Sequence, residues 1–325
     1  MNTKNEKRYD FYERLSADFP SQIIIDATEI CNLACIHCPH EDFKKSEHFE
    51  ARHLAIEIHN KLIDEVCCYG QGKTQYIRYT SNGEPLLHPK IYDMLDYAVK
   101  HSGVPVTLTT NGTILNEKRI EKLLASGLHL IDISIDAFKP ETYTKIRIKG
   151  DLHTTQGNVL KLLEMKNNIG AKTRIVTSYV EQPDNYQESG QFEKFWKDQG
   201  VDYVVIRRLH SSAGAIDQIA ERICNDGEPI IRRPCLYPWE RITLNPRGEL
   251  AFCPQDWSHD SEIVPYKHTS IRDVWQSEFY RRLREAHLKN EFKNHVFCGN
   301  CPDWRQTRWP DEGRSYANMV KDIVD

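Results

Sequence analysis

Residues 31–38 read "CNLACIHC", three cysteines in eight positions with no fourth close by. The stretch follows "SQIIIDA" (21–27), an apolar run that ends at an acidic residue and reads as a first strand. The same unit recurs along the chain. Further strands are expected at "QYIRYTS" (75–81), "PVTLTTN" (105–111), "LIDISID" (130–136), "TRIVTSYV" (173–180) and "DYVVIRRL" (202–209). Helical patterns separate them near 53–68, 90–101, 116–126, 155–169 and 188–199. Six Ile- and Val-rich strands alternating with helices predict a parallel α/β sheet covered on both faces. In such folds chemistry collects on the loops that leave the C-terminal strand ends. The cysteine loop leaves strand one there, followed by "TSNGEPLLHP", "TTNGTIL" and "SIDAF" after strands two, three and four. Asn-Gly is also an ordinary turn dipeptide, but several polar loops gathered on one rim point to a site.

The chain has 325 residues, 39% hydrophobic and 28% charged, with a formal charge of -4. That suits one large domain or two ordinary ones. Nothing has the apolar length of a membrane span, and "MNTKNEKRYDFYERL" lacks the apolar centre of a secretory signal. Without a dense Lys/Arg block, nucleic acid is not an expected partner. A cytoplasmic location is the expectation.

Ten cysteines are many for a reducing compartment, and their clustering favours metal over disulfides. After residue 210 the α/β rhythm stops. A Gly- and Ser-containing connector (211–234), partly helical, leads to "RITLNPRGELAFC" (241–253), two short strands around Asn245-Pro246-Arg247-Gly248. A helix at 271–288 and "CGNC" complete a smaller module. Cys31, Cys35 and Cys38 can be read as zinc ligands, although three loop thiolates suit iron–sulfur chemistry better. A four-iron cluster held by three cysteines keeps one iron open to a small molecule. Cys235, Cys253, Cys298 and Cys301 could close a tetrahedral zinc or saturate a second cluster. Cys67 and Cys68 read as buried core residues at the end of the first helix. Cys224, in the connector, is either incidental or a hydrogen-atom donor near the site mouth. Arg207, Arg208 and His210, after strand six, are placed to meet substrate or are solvated charge.

Cys31, Cys35 and Cys38, with His37 before the last cysteine, resemble the signature loop of radical S-adenosylmethionine (SAM) enzymes. The resemblance covers roughly residues 20–210 and implies a partial (β/α)6 barrel. It also implies that the amino and carboxylate groups of SAM chelate the open iron of a [4Fe–4S] cluster. By the same resemblance Asn82, Gly83 and Glu84 stand where the family often has Gly-Gly-Glu, leaving Glu84 to accept from the SAM ammonium. Asn111, Ser134 and Asp136 stand where the family contacts the ribose or methionyl groups, and His37 packs near the adenine. Arg147 resembles an arginine that pairs with the SAM carboxylate, its alternative being a surface helix charge.

"CLYPWERITLNPRGELAFCPQDW" and "CGNCPDW" resemble the SPASM/twitch extensions behind radical SAM barrels. Four cysteines match the shorter version, with one auxiliary [4Fe–4S] cluster fully ligated by protein. The implied organisation is a polar N-terminal segment (1–20), a barrel (21–210), the connector (211–234) and a small α+β cluster-binding module (235–325). The implied activity is one-electron reductive cleavage of SAM to a 5′-deoxyadenosyl radical, which takes a hydrogen atom from substrate. The auxiliary cluster then accepts an electron. Only about twenty residues precede strand one, too few for a peptide-recognition domain. The expected substrate is therefore a hydroxyl-bearing small molecule (sugar, amino sugar or cyclitol), with a flavodoxin or ferredoxin as electron donor. Peptide crosslinking or epimerisation is the second reading, and a non-catalytic zinc-stapled protein a third.

Overall fold

A computed structural model describes residues 18–225, 231–307 and 319–322. Most of the expected N-terminal segment (1–17), and parts of the connector and module (226–230, 308–318, 323–325), lie outside the described residues. Six parallel strands follow one another across a single sheet: β1 (Gln22–Ile25), β2 (Tyr76–Tyr79), β3 (Val106–Thr110), β4 (Leu130–Ser134), β5 (Arg174–Glu181) and β6 (Tyr203–Arg208). All six strands read from the sequence are present. β1 is buried at every position, as a strand covered on both faces must be.

The helices between them pack apolar stripes onto the sheet, and two of them start at a side-chain cap. Asn116 accepts from Arg119 N at 3.0 Å to start the helix Glu117–Ala125. Asp151 accepts from Thr154 N at 2.7 Å and starts the helix Leu152–Ile169 three residues earlier than its apolar pattern suggests. Gly170 ends that helix in the left-handed conformation, φ 63°. The single helix expected at 271–288 is two, Ile271–Trp275 and Glu278–Lys289, because Ser277 caps a new start on Tyr280 N.

The C-terminal module extends the same sheet. β7 (Arg241–Leu244) pairs parallel with β1, Gln22 opposite Arg241 and Ile25 opposite Leu244. β8 (Glu249–Ala251) and β9 (Glu262–Pro265) continue antiparallel, giving nine strands in the order β9-β8-β7-β1-β2-β3-β4-β5-β6. The turn at Asn245–Gly248 is the hairpin read from the sequence, with Gly248 at φ 79°. β1 is therefore an interior strand, and the cysteine loop leaves the middle of the sheet. Among the described residues no helix is long and apolar enough to cross a membrane.

Cys67 and Cys68 correct the expectation of buried core thiols: both are exposed. Their helix, Ile56–Tyr69, turns His59, Leu62, Ile63 and Val66 inward, and 3.6 residues per turn carries the next two positions outward.

Candidate active site

The cysteine loop is held by backbone before any side chain acts. Ala34 and Cys35 form a two-residue antiparallel ribbon with Ile148 and Arg147, and Ile36 N donates to Ile146 O at 3.0 Å. Cys38 N donates to Cys35 O at 3.1 Å, closing a turn that brings the thiols together. From the next loop, Gly83 packs so closely that a Cβ would stand 1.9 Å from Thr28 O, and Glu84 N donates to Ile30 O at 2.8 Å. Only glycine fits there. Asn32 completes the brace: Asn111 Nδ2 donates to its Oδ1 at 2.9 Å, and its own Nδ2 donates to Thr113 Oγ1 at 2.8 Å.

Burial pushes the Cys31 thiol up to about 11 and raises Cys35 and Cys38 as well; Cys35 adds to the cost at Cys31 and Cys38, and Arg147 opposes the shift at all three. Buried thiols that resist ionising alone, gathered in one loop beside a cation, are a donor set for a metal that supplies the missing positive charge. Among the described residues no three His, Cys, Asp or Glu side chains converge as they would on a single ion.

Several expected SAM contacts have other duties. The Glu84 carboxylate takes Leu86 N (3.1 Å) and Thr110 Oγ1 (2.7 Å) on Oε1, and Asn111 N (2.8 Å) on Oε2. It ties the loops after β2 and β3 together instead of facing an open site, and burial raises its pKa against those donors. Asp136 is fully buried at φ 63°. Its Oδ2 accepts from Arg147 Nε at 2.9 Å and from Nη2, and its Oδ1 accepts from Val180 N at 2.7 Å. Arg147, itself 5% exposed, is thus no surface charge, and Asp136 is its counter-ion. Asn111 is the brace already described.

His37, Asn82 and Ser134 do face open space. They line a cavity of about 720 Å³ inside the barrel, together with Arg207, Arg208 and His210. His37 stands 3.5 Å from Asp136 Oδ2, and burial lowers its pKa to about 4, so the ring is neutral. Burial likewise lowers His210. Arg207 and Arg78 both donate to Asp132 Oδ2, at 2.5 and 3.0 Å, which fixes the cavity floor. Arg78 and Asp132 were not read as site residues, yet a charge inside "YIRY" and another inside "LIDIS" were the available signal. Cys224 is exposed and is not among the residues that line the cavity.

Cys235, Cys253, Cys298 and Cys301, distant in sequence, line one cavity with Arg232, Tyr237 and His287. Burial raises all four thiols, Cys235 to about 11 and Cys301 to about 12. Tyr237, Gln255 and Thr307 line this cavity and the barrel cavity alike, so they form the partition between them. Arg241 stacks on the Tyr237 ring, 3.8 Å from its centroid, and pairs with Glu240 at 3.2 Å. From the other side, Ser81 Oγ donates to Pro254 O at 2.9 Å and Asn82 Nδ2 to Asp256 O at 3.2 Å, locking the module onto the loop after β2.

Comparison with known proteins places this geometry. The chain is 34% identical over 128 residues to an AdoMet-dependent heme synthase of Methanosarcina barkeri, a stretch covering 39% of this chain and 34% of that one. The chain thus spans about a third of that relative's length. The fold is shared with BtrN in complex with AdoMet and 2-DOIA (TM-score 0.58, 16% identity, 86% of this chain and 92% of that one). It is shared too with Streptococcus suis SuiB bound to precursor peptide SuiA (TM-score 0.62, 14% identity, 98% and 77%). The SPASM iron–sulfur cluster-binding domain matches residues 235–302, and the radical SAM superfamily matches residues 25–191. By that match, over half its length, the chain belongs to the radical SAM superfamily, an enzyme whose cofactors are SAM, a [4Fe–4S] cluster and the iron–sulfur centre of a SPASM extension.

Proposed function

We propose that the enzyme oxidises a hydroxyl-bearing small molecule, such as a sugar, amino sugar or cyclitol, at a carbinol carbon. The observation that carries this reading is the cavity of about 720 Å³, lined by Arg207, Arg208, His210 and Asn82 among apolar side chains, whose wall is shared with the four-cysteine cavity. That volume lies in the range of small-molecule sites. In this reading Cys31, Cys35 and Cys38 hold the first cluster, and Cys235, Cys253, Cys298 and Cys301 hold one auxiliary cluster. When bound, these groups and SAM supply a one-electron cleavage that removes a hydrogen atom from carbon, and an acceptor for the second electron.

The chain's own residues do the rest. His37, Asn82 and Ser134 line the SAM side of the cavity, while Arg207, Arg208 and His210 orient the substrate hydroxyls. His210, kept neutral by burial, accepts the hydroxyl proton on a ring nitrogen as the carbinol becomes a carbonyl. Tyr237, Gln255 and Thr307 keep the substrate beside the electron acceptor and out of contact with it. A one-electron donor such as a flavodoxin or ferredoxin supplies the reducing electron.

The test is anaerobic reconstitution with iron and sulfide, followed by reductant, SAM and carbon-deuterated polyols. The expected result is deuterium in 5′-deoxyadenosine and a carbonyl product, both absent from the Cys31→Ala/Cys35→Ala/Cys38→Ala variant. A loaded enzyme that takes deuterium from no polyol but modifies a peptide would replace this reading with peptide maturation.

A further inference from the structure

Among the residues lining the four-cysteine cavity are Arg232 and His287, to which the reading above gives no role. His287 is 4% exposed, and its Nδ1 accepts from the backbone N of Cys235 at 3.3 Å. A neutral imidazole that accepts at Nδ1 carries its proton on Nε2. That Nε2 is buried and has no protein partner. The ring is held between Trp239 and Phe292, with centroids 6.1 and 5.0 Å away.

Arg232 reaches across the Cys298–Cys301 turn. Its Nη1 donates to Gly299 O at 3.0 Å and its Nη2 to Cys298 O at 2.5 Å, while its guanidinium lies 4.1 Å from the Phe292 ring centroid. Its Nε is also buried without a partner. Both side chains are held by these contacts, and each keeps a buried donor without a protein partner in the cavity the thiols line. A buried donor without an acceptor costs roughly 1–3 kcal/mol, so such groups point to something that fills the cavity.

We propose that His287 and Arg232 set the reduction potential of the iron–sulfur group held by Cys235, Cys253, Cys298 and Cys301. The Nε2–H of His287 donates to a sulfur of that group, and Arg232 places a fixed positive charge against it. Four thiolates give a four-iron cluster a net negative charge, and adding an electron makes it more negative. A hydrogen bond to sulfur and a nearby cation both favour the reduced form and raise the potential. The electron concerned is the one the substrate radical gives up after losing its hydrogen atom, with the hydroxyl proton leaving separately. His287 and Arg232 are positioning residues here, since neither touches substrate. The inference rests on the reading that these four cysteines hold an iron–sulfur cluster.

The experiment is an EPR-monitored redox titration of the full chain, repeated in the Cys31→Ala/Cys35→Ala/Cys38→Ala background so that only the C-terminal signal remains. His287→Leu and Arg232→Met are expected to load iron normally and shift the midpoint to more negative potential. His287→Gln, which keeps an N–H near the Nε2 position, and Arg232→Lys are expected to recover part of the shift. A second measurement leaves His287 and Arg232 unaltered: pulsed EPR of the 15N-histidine-labelled chain in that same background should detect a histidine nitrogen and an exchangeable proton coupled to the reduced cluster. Unmoved potentials in loaded variants, or no histidine coupling, would overturn the inference while leaving the cluster in place. Zinc instead of iron at these cysteines, read by metal analysis, would overturn the cluster reading first and this inference with it.

Discussion

Cys35 and Arg147 face each other across the two-residue ribbon, so the residue that orients the middle thiol is also the buried partner of Asp136. The cysteine loop and the loop after β4 are therefore one unit. Replacing Arg147 by Met leaves Asp136 as an uncompensated buried charge, which costs roughly 3–5 kcal/mol. The expected outcome is a lower melting temperature and loss of about half the bound iron, with the C-terminal EPR signal retained. Iron analysis and thermal unfolding of the same sample check it.

Gly83 gives a sharper cut. An alanine there would drive Cβ into Thr28 O, a backbone atom that cannot swing aside. Gly83→Ala should abolish formation of 5′-deoxyadenosine while far-ultraviolet circular dichroism stays near that of the parent. Full activity would mean that the 28–30 backbone shifts freely, against the bracing described here.

The partition predicts uncoupling. Tyr237→Ala removes the ring shared by the two cavities and the platform on which Arg241 stacks. SAM cleavage should continue, while oxidised product per 5′-deoxyadenosine falls several-fold. Tyr237→Phe, which keeps the ring, should stay near the parent ratio. Quantifying both products by mass spectrometry in one reaction checks this.

Asp26 predicts a pH dependence. Burial raises its pKa from 3.8 to about 8, outweighing the amides of Asn82, Gly83 and Thr28 that favour the carboxylate. The folded state therefore holds a proton that the unfolded chain has released. Its contribution to stability is complete below about pH 4 and is lost progressively as pH rises to about 8. Asp26→Asn should flatten the fall in melting temperature between pH 6 and pH 8.5. An unchanged slope would show that Asp26 is ionised in the fold.

Much of this was legible in the sequence, and the limits have physical causes. The six barrel strands announce themselves because burial on both faces favours short Ile- and Val-rich runs. The cysteine groups stand out because thiols are rare and their spacing is local. The Asp136–Arg147 pair left no comparable trace: its members lie on separate elements, and a buried ion pair has the same composition as two surface charges. His287 and Arg232 were hidden for a similar reason, since only the folded chain brings them to cysteines as far away as residue 253. Cys67 and Cys68 were misread although the helical period of their apolar neighbours already turned them outward. The pairing of β7 with β1 has no local signature at all.

That pairing bears on how the chain is made. The strand that covers the second edge of β1 leaves the ribosome some two hundred residues after it, 219 positions separating Ser21 from Glu240 where they meet. At 5–20 residues per second, that is a wait of roughly ten to forty seconds. Throughout it an apolar strand edge stands open, the kind of surface that recruits other nascent chains. Synthesis of this enzyme should accordingly lean on chaperones, and slower translation should increase its loss to aggregation.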